Sequence, residues 1–211
     1  MTPKEARNER LAQHLVRHLE RRNMAACYCP TAAEAVKKVS ELIPDGSSVT
    51  WGGSMTIRDM GIPAALHARA TLNVMDRDMA KTRDEAQEIY RQAFTADYYL
   101  SGANAISEDG VIVNIDGTGN RVAAITFGPK HVIFIVSLNK VAQTAEAALA
   151  RARSTASPIN AARFDIKTPC HTDGVCHNCN SPECICNYVH FLRNSPGRRH
   201  TVILVGEDYG Y

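Results

Sequence analysis

Leu11, Leu15 and Leu19 recur at helical spacing, with Ala12 and Val16 beside them. Lys4, Arg7, Arg10, Arg17, Arg21 and Arg22 fall on the other side, a pattern that predicts an amphipathic helix over the opening segment. Residues 24 to 29, MAACYC, predict a small-residue strand. Thr31 and Glu34 form a capping box ahead of Val36, Val39, Leu42 and Ile43, so a second helix starts there. Asp45-Gly46 turns the chain into a strand, Ser48 to Trp51, which runs into Gly52-Gly53-Ser54 and a helix around Thr56 to Met60. A helix over 64–70, a strand over 71–76 and a helix over 80–95 follow. This alternation implies a parallel sheet with helices on its faces.

Beyond residue 97 the pattern changes. Asp97 to Ser101, Val111 to Ile115, Val122 to Thr126 and Val132 to Ser137 read as closely spaced strands, with turns at Glu108-Asp109-Gly110 and Asp116 to Asn120. Such a meander, added to the parallel part, gives an α/β fold with a mixed, largely parallel sheet flanked by helices. Thr144 to Thr155 is alanine-rich and helical, Tyr188 to Leu192 reads as a short helical stretch, and Thr201 to Val205 as a closing strand. A buried closing strand makes the segment before it a loop anchored at both ends.

The chain has 211 residues, enough for one domain with its own core. Its start is charged from Lys4 onward, and no run approaches the ~18 apolar residues of a membrane span. The expected setting is therefore the cytoplasm, without a membrane partner. A net charge of +2 and 6% aromatic residues argue against a nucleic-acid partner.

That setting gives weight to the segment PCHTDGVCHNCNSPECIC, which holds Cys170, Cys176, Cys179, Cys184 and Cys186 among turn-forming residues. Thiols stay reduced in the cytoplasm, so a metal or redox site is favoured over a disulfide framework. Cys170, Cys176, Cys179 and Cys186 give C-x5-C-x2-C-x6-C, with Cys184 spare. Structural zinc sites usually join two separate C-x-x-C knuckles, whereas one loop supplying every ligand is closer to an iron–sulfur cluster. Zinc remains the alternative, with His171 and His177 as substitute ligands; metal-free thiol redox chemistry and a purely structural loop are the other readings. Arg151, Arg153, Arg163 and Lys167 precede the loop and favour thiolates, although a solvated basic surface accounts for them equally.

Two further segments carry a resemblance. WGGSMTIRDMGI at 51–62 and SGANAISEDGVIVNIDGTGNRVAAITFGPKHVIFIVSLNK at 101–140 resemble the lactate-utilisation (LUD) domain family, which includes lactate-utilisation protein C and the LUD halves of its iron–sulfur partner, protein B. The cysteine segment and the closing VILVGEDYGY are similar to a stand-alone branch of that family, in which Cys184 has no usual counterpart. The resemblance implies a fold akin to the sugar-phosphate isomerases and CoA-transferases. It also implies a role in lactate oxidation to pyruvate, or related small-carboxylate redox metabolism, alongside iron–sulfur partner proteins. It supplies no catalytic residue and allows a homo-oligomer.

Candidate binding residues fall in two turns. Gly52, Gly53, Ser54 and Thr56 leave a strand end where backbone N–H groups and hydroxyls suit a phosphate or carboxylate; the plainer reading is a tight turn with Ser54 as helix cap. Asn114, Asp116, Gly117, Asn120 and Arg121 place an amide, a carboxylate and a guanidinium together, and Arg121 suits a bidentate pair with a substrate carboxylate such as lactate's. The plainer reading there is a hairpin turn with an exposed arginine. Asn104 and Lys140 are assigned to the same crevice. Glu108 and Asp109 offer a carboxylate nucleophile of the CoA-transferase kind, though turns take acids for ordinary reasons. No dinucleotide, Walker or nucleophile-elbow motif is present. The function expected is a redox component that binds a small anionic metabolite. The alternatives are a non-redox acyl or CoA transferase or sugar-phosphate isomerase with a structural zinc loop, and an assembly subunit without turnover.

Overall fold

In the computed structural model, which describes residues 1–211, six strands form one fully parallel sheet. They are β1 (Ala25–Cys29), β2 (Ser48–Trp51), β3 (Asn73–Met75), β4 (Tyr98–Ser101), β7 (His131–Ser137) and β10 (His200–Val205), in the order β1-β10-β7-β4-β2-β3. Parallel pairing demands a crossover between neighbours, and helices supply them. One face carries α1 (Pro3–Arg21) and α6 (Asn120–Thr126); Ala12, Leu15, Leu19, Ala124 and Ile125 pack there on Val132, Phe134, Val136, Val202 and Leu204. The other carries α2 (Ala32–Leu42), α3 (Met55–Asp59) and α4 (Ile62–His67), packed on Ile133, Ile135, Ile203 and Val205. Strands β7 and β10 are thus apolar on both faces, as central parallel strands are.

Four shorter strands make a second sheet in the order β8-β5-β6-β9: β5 (Ala105–Ser107), β6 (Ile112–Asp116), β8 (Val141–Ala142) and β9 (Tyr188–Leu192). Its core is Ala105, Val113 and Ile115 against Ala148 and Ala152. Those alanines come from α7 (Ala145–Arg151) and a π-helical turn, Ala152–Ala156, that leads into α8 (Ser157–Ala161). The remaining helices are α5 (Arg83–Gln92) and the short α9 (Pro169–Asp173) in the cysteine segment.

The first half follows the sequence pattern. The predicted cap at Thr31 forms, its hydroxyl accepting from Glu34 N at 3.3 Å at the start of α2, and Thr2 makes a capping box with Glu5 at the start of α1. Four expectations are corrected. The predicted meander divides, with 98–101 and 131–137 joining the parallel sheet and 112–116 joining the second one. Residues 122–126 are helical, because the Asp116 carboxylate accepts from Val122 N at 3.0 Å and the αL conformation of Gly119 turns the chain into α6. Residues 188–192 are a strand, since β6 offers an open edge and Tyr, Val and Phe suit one. The predicted helix over 80–95 is also broken, with α5 ending at Gln92 and a single 3₁₀ turn following.

Phe134 is fully buried at the centre of the larger core. Phe134→Ala should lower unfolding free energy by about 3–5 kcal/mol with an unchanged denaturant slope, read from urea melts.

Candidate functional site

Four parallel strands end on one edge of the sheet, and the segments that leave them build a common cavity. β2 leads to Gly53, Ser54 and Thr56, β4 to Gly102 and Asn104, β7 to Lys140, and β10 to Gly210 and Tyr211. Arg121 of α6 and Asn160 and Arg163 around the end of α8 complete the lining. Three cationic side chains line this cavity and no acidic side chain does. The carboxyl edge of an open parallel sheet is where such folds place ligands.

Small residues let the hydroxyls close in. A side chain on Gly102 would lie 2.5 Å from Ser54 Oγ and 3.7 Å from Thr56 Oγ1. Gly52 and Gly53 serve close approach and not a positive φ: a β-carbon on Gly52 would be 2.7 Å from the Tyr99 hydroxyl and 2.9 Å from Arg121 Cδ, and one on Gly53 would be 2.5 Å from Arg77 Nη2. Ser54 caps α3 through Ile57 N at 3.4 Å, so it serves the turn and the cavity together. α3 has five residues and adds little dipole of its own.

The second turn acts mostly from behind. Arg121 donates through Nη1 to Asn114 Oδ1 at 2.6 Å and through Nη2 to the Ile115 carbonyl at 2.6 Å and Asn104 Oδ1 at 3.3 Å. Its charge therefore faces the cavity while most of its donors are tied to neutral acceptors. Asp116 is 3.9 Å from Arg121 Nε, and its carboxylate is used to start α6. Asn120 accepts from the Thr118 hydroxyl at 2.5 Å, and Gly117 packs on Ile185. Of the predicted residues, the structure brings Gly53, Ser54, Thr56, Asn104, Arg121 and Lys140 to the cavity; Gly52 and Asn114 support it, and Asp116, Gly117 and Asn120 shape the turn beside it. Next to the lining, Trp51 Nε1, Arg77 Nε and Asn114 Nδ2 are buried donors without an acceptor.

Lys140 is 3% exposed, and its Nζ donates to Thr56 Oγ1 at 2.6 Å and to the Ala103 carbonyl at 3.3 Å. Burial, with the charges of Arg151 and Arg121 added, pulls its ammonium down to about 7, opposed weakly by Asp59. The segment 206–211 crosses above it. Tyr209 O accepts from Thr56 Oγ1 at 3.5 Å, and the Tyr211 hydroxyl lies 3.1 Å from both Arg163 Nη1 and Asn160 Oδ1.

A second cavity begins on the other side of Ile115, which lines both. All five cysteines of the segment line it, with His177, Ser157 and Arg153. Cys186 N donates to Cys184 Sγ at 3.3 Å, and burial, with the neighbouring Cys184 and Cys170, pushes the Cys186 thiol up to about 11. His171 turns to the Ala161 carbonyl at 3.3 Å, and His177 pairs with Asp173 at 2.6 Å. No three of these donors are grouped as a ligand sphere. As a donor set, the five thiols that line this cavity are of the kind that thiophilic metals and clusters take.

Fold and cavities together define an α/β protein with a cationic crevice at the strand carboxyl ends and a thiol-lined cavity beside it. The chain belongs to the LUD domain family, whose model matches residues 12–205. No curated protein matches it. Among solved structures it is similar to a DUF162 family protein from Deinococcus radiodurans, 16% identical, with a TM-score of 0.57 over 94% of this chain and 98% of that one. It is also similar to ribose 5-phosphate isomerase A from Neisseria gonorrhoeae, 14% identical, with a TM-score of 0.37 over 55% of this chain and 56% of that one. Of the cavity residues, Gly102, Asn160, Arg163 and Tyr211 carry no sequence signal of their own. Only the convergence of distant segments reveals them.

The depressed Lys140 has a consequence for stability. Between its folded value of about 7 and the ordinary lysine value near ~10.4, the unfolded chain holds a proton that the folded chain lacks. Stability therefore rises with pH through that window and is lost as pH falls toward 7. From about pH 7.5 to about pH 9.5 the wild-type chain should gain ~2–3 kcal/mol relative to Lys140→Met in urea melts.

Proposed function

We propose that this LUD-domain protein binds a small carboxylate of the 2-hydroxy or 2-oxo acid type, lactate or pyruvate, in the cationic cavity. In this reading it serves lactate oxidation, or related small-carboxylate metabolism, in the cytoplasm. The observation that carries the proposal is the lining itself: Arg121, Lys140 and Arg163 with no acidic side chain among them. A cavity of that composition holds an excess of positive charge that an anionic ligand neutralises. Arg163 and Arg121 supply the charge for the carboxylate, while Thr56, Ser54 and Asn104 supply hydrogen-bonding groups for the oxygen on the adjacent carbon. The Tyr211 hydroxyl, bonded to Arg163 and Asn160, stands at the edge of this group.

The cysteine cavity gives the redox half of the proposal. Cys170, Cys176, Cys179 and Cys186 would hold an iron–sulfur cluster, with Cys184, whose Sγ accepts from Cys186 N, beside them. A bound cluster would supply one-electron storage next to the carboxylate site, for exchange with iron–sulfur partner proteins. Ile115 is the wall common to both cavities, which supports a short path between them. No helix is long and apolar enough to cross a membrane.

Titration calorimetry with pyruvate and with lactate tests the first half. Arg163 is exposed and bonds only to Asn160 and Tyr211, so Arg163→Ala should fold normally and bind about tenfold more weakly. Equal affinity in the variant removes the carboxylate assignment. Iron, sulfide and zinc analysis of protein purified without oxygen tests the second half. Iron with sulfide supports the cluster; one zinc without sulfide makes the loop structural and ends the electron-transfer reading.

A further inference from the structure

Lys140 is a buried amine without an anionic partner. No aspartate or glutamate oxygen lies within 4.0 Å of its Nζ, and it is tucked beneath Gly210, where even a β-carbon would come within 3.0 Å of it. The charged groups that act on it are Arg121 of α6 and Arg151 of α7, with Asp59 of α3 as a weaker opposing charge. An ammonium brings three hydrogens and asks for three acceptors. The site provides two, Thr56 Oγ1 and the Ala103 carbonyl. Two acceptors match a neutral amine, which donates both hydrogens and keeps its lone pair unused.

A structural role explains such a residue poorly. Burying lysine without a counter-ion is costly, and an apolar side chain of similar length would fill the space without that cost. What a neutral, desolvated amine beside other cations does well is attack a carbonyl carbon. The same cavity holds the cationic groups that would fix a carboxylate next to that carbon. On the carboxylate reading given above, we propose that Lys140 forms an imine with a 2-oxo carboxylate held in this cavity.

The step is balanced without an oxidant or reductant. The Nζ lone pair forms a bond to C2 of the 2-oxo acid, and the carbonyl π electrons pass to oxygen. That oxygen leaves as water with the two amine hydrogens, and the C=N nitrogen takes one proton from solvent. The resulting iminium withdraws electrons from C2, which makes a proton on C3 easier to release, the pair passing into an enamine. Lactate, lacking the carbonyl, binds the same cations and forms no covalent bond. The cavity would thus separate the oxidised from the reduced member of a 2-oxo/2-hydroxy pair by chemistry as well as by fit.

Pyruvate with sodium borohydride tests this on the full chain. Hydride delivered to C2 should fix the adduct as a secondary amine, adding about 72 Da to the peptide that contains Lys140. Lactate in place of pyruvate should give no added mass, and excess lactate should suppress the pyruvate adduct. Lys140→Arg should give no added mass on the peptide that contains position 140. The wild-type experiment decides the question if that variant does not fold. Pyruvate that binds by calorimetry yet leaves Lys140 unmodified would overturn the imine while the carboxylate site stands. Modification spread over surface lysines and insensitive to lactate would also overturn it. Absence of both binding and adduct would overturn the imine and the carboxylate reading together.

Discussion

The parallel register of β2, β4, β7 and β10 is the constraint from which the rest of the site follows. Trp51 pairs with Leu100, Ser101 with Phe134 and Ser137 with Val205, so these neighbouring strands finish on one edge. Antiparallel neighbours would have sent alternate exits to opposite edges. Here four exits open side by side, and each delivers one or two polar residues into the space between them. Apolar packing on both faces of β7 and β10 holds that register, because a slip of one residue would turn Ile133, Ile135, Ile203 and Val205 toward the wrong core. Hydrophobic burial thus fixes where the cations stand, although no cation takes part in it.

The same architecture explains why an uncompensated lysine is tolerated. Lys140 comes three residues after β7 leaves a large and well-packed core, so the scaffold is stable enough to absorb a locally unfavourable group. Buried and strained groups of this kind concentrate at functional positions because an apolar residue would otherwise suit the fold better. Arg121 shows the opposite arrangement. Its guanidinium is tied to Asn114, Ile115 and Asn104, so its position is set in advance while its charge remains available to the cavity. One group is left reactive and the other is held still.

Much of this was legible in the sequence, and the remainder was not for definite reasons. Capping residues at Thr31 and Ser54 announce their helices locally, and the alternation up to residue 97 announces a parallel sheet. The 52–56 and 101–140 segments pointed to Ser54, Thr56, Asn104, Arg121 and Lys140, all of which line the cavity. The misread elements are those decided by residues outside the segment itself. Val122 to Thr126 contains β-branched residues at both ends, yet the Asp116 carboxylate and the left-handed Gly119 start a helix there. Tyr188 to Leu192 becomes a strand because β6, more than seventy residues earlier, offers it an edge, with Asp116 opposite Tyr188 and Ile112 opposite Leu192. Arg163 and Tyr211 were illegible for the same reason: their hydrogen bond spans 48 residues, and nothing near either one signals it.

That β6–β9 pairing joins the walls of the two cavities. β9 begins two residues after Cys186, and Asn187 donates to the Gly117 carbonyl at 2.9 Å, which ties the end of the cysteine loop to the turn that carries Arg121. Gly117 lies against the Ile185 backbone, so closely that a β-carbon there would be 3.3 Å from Ile185 Cα. Along β6, Val113 and Ile115 face the small core, while Asn114 and Asp116 face the arginine they position. Cys186 is thus tied through Asn187 and Tyr188 to β6, the strand whose Asn114 holds Arg121, and the two cavities share that strand pair and the Ile115 wall.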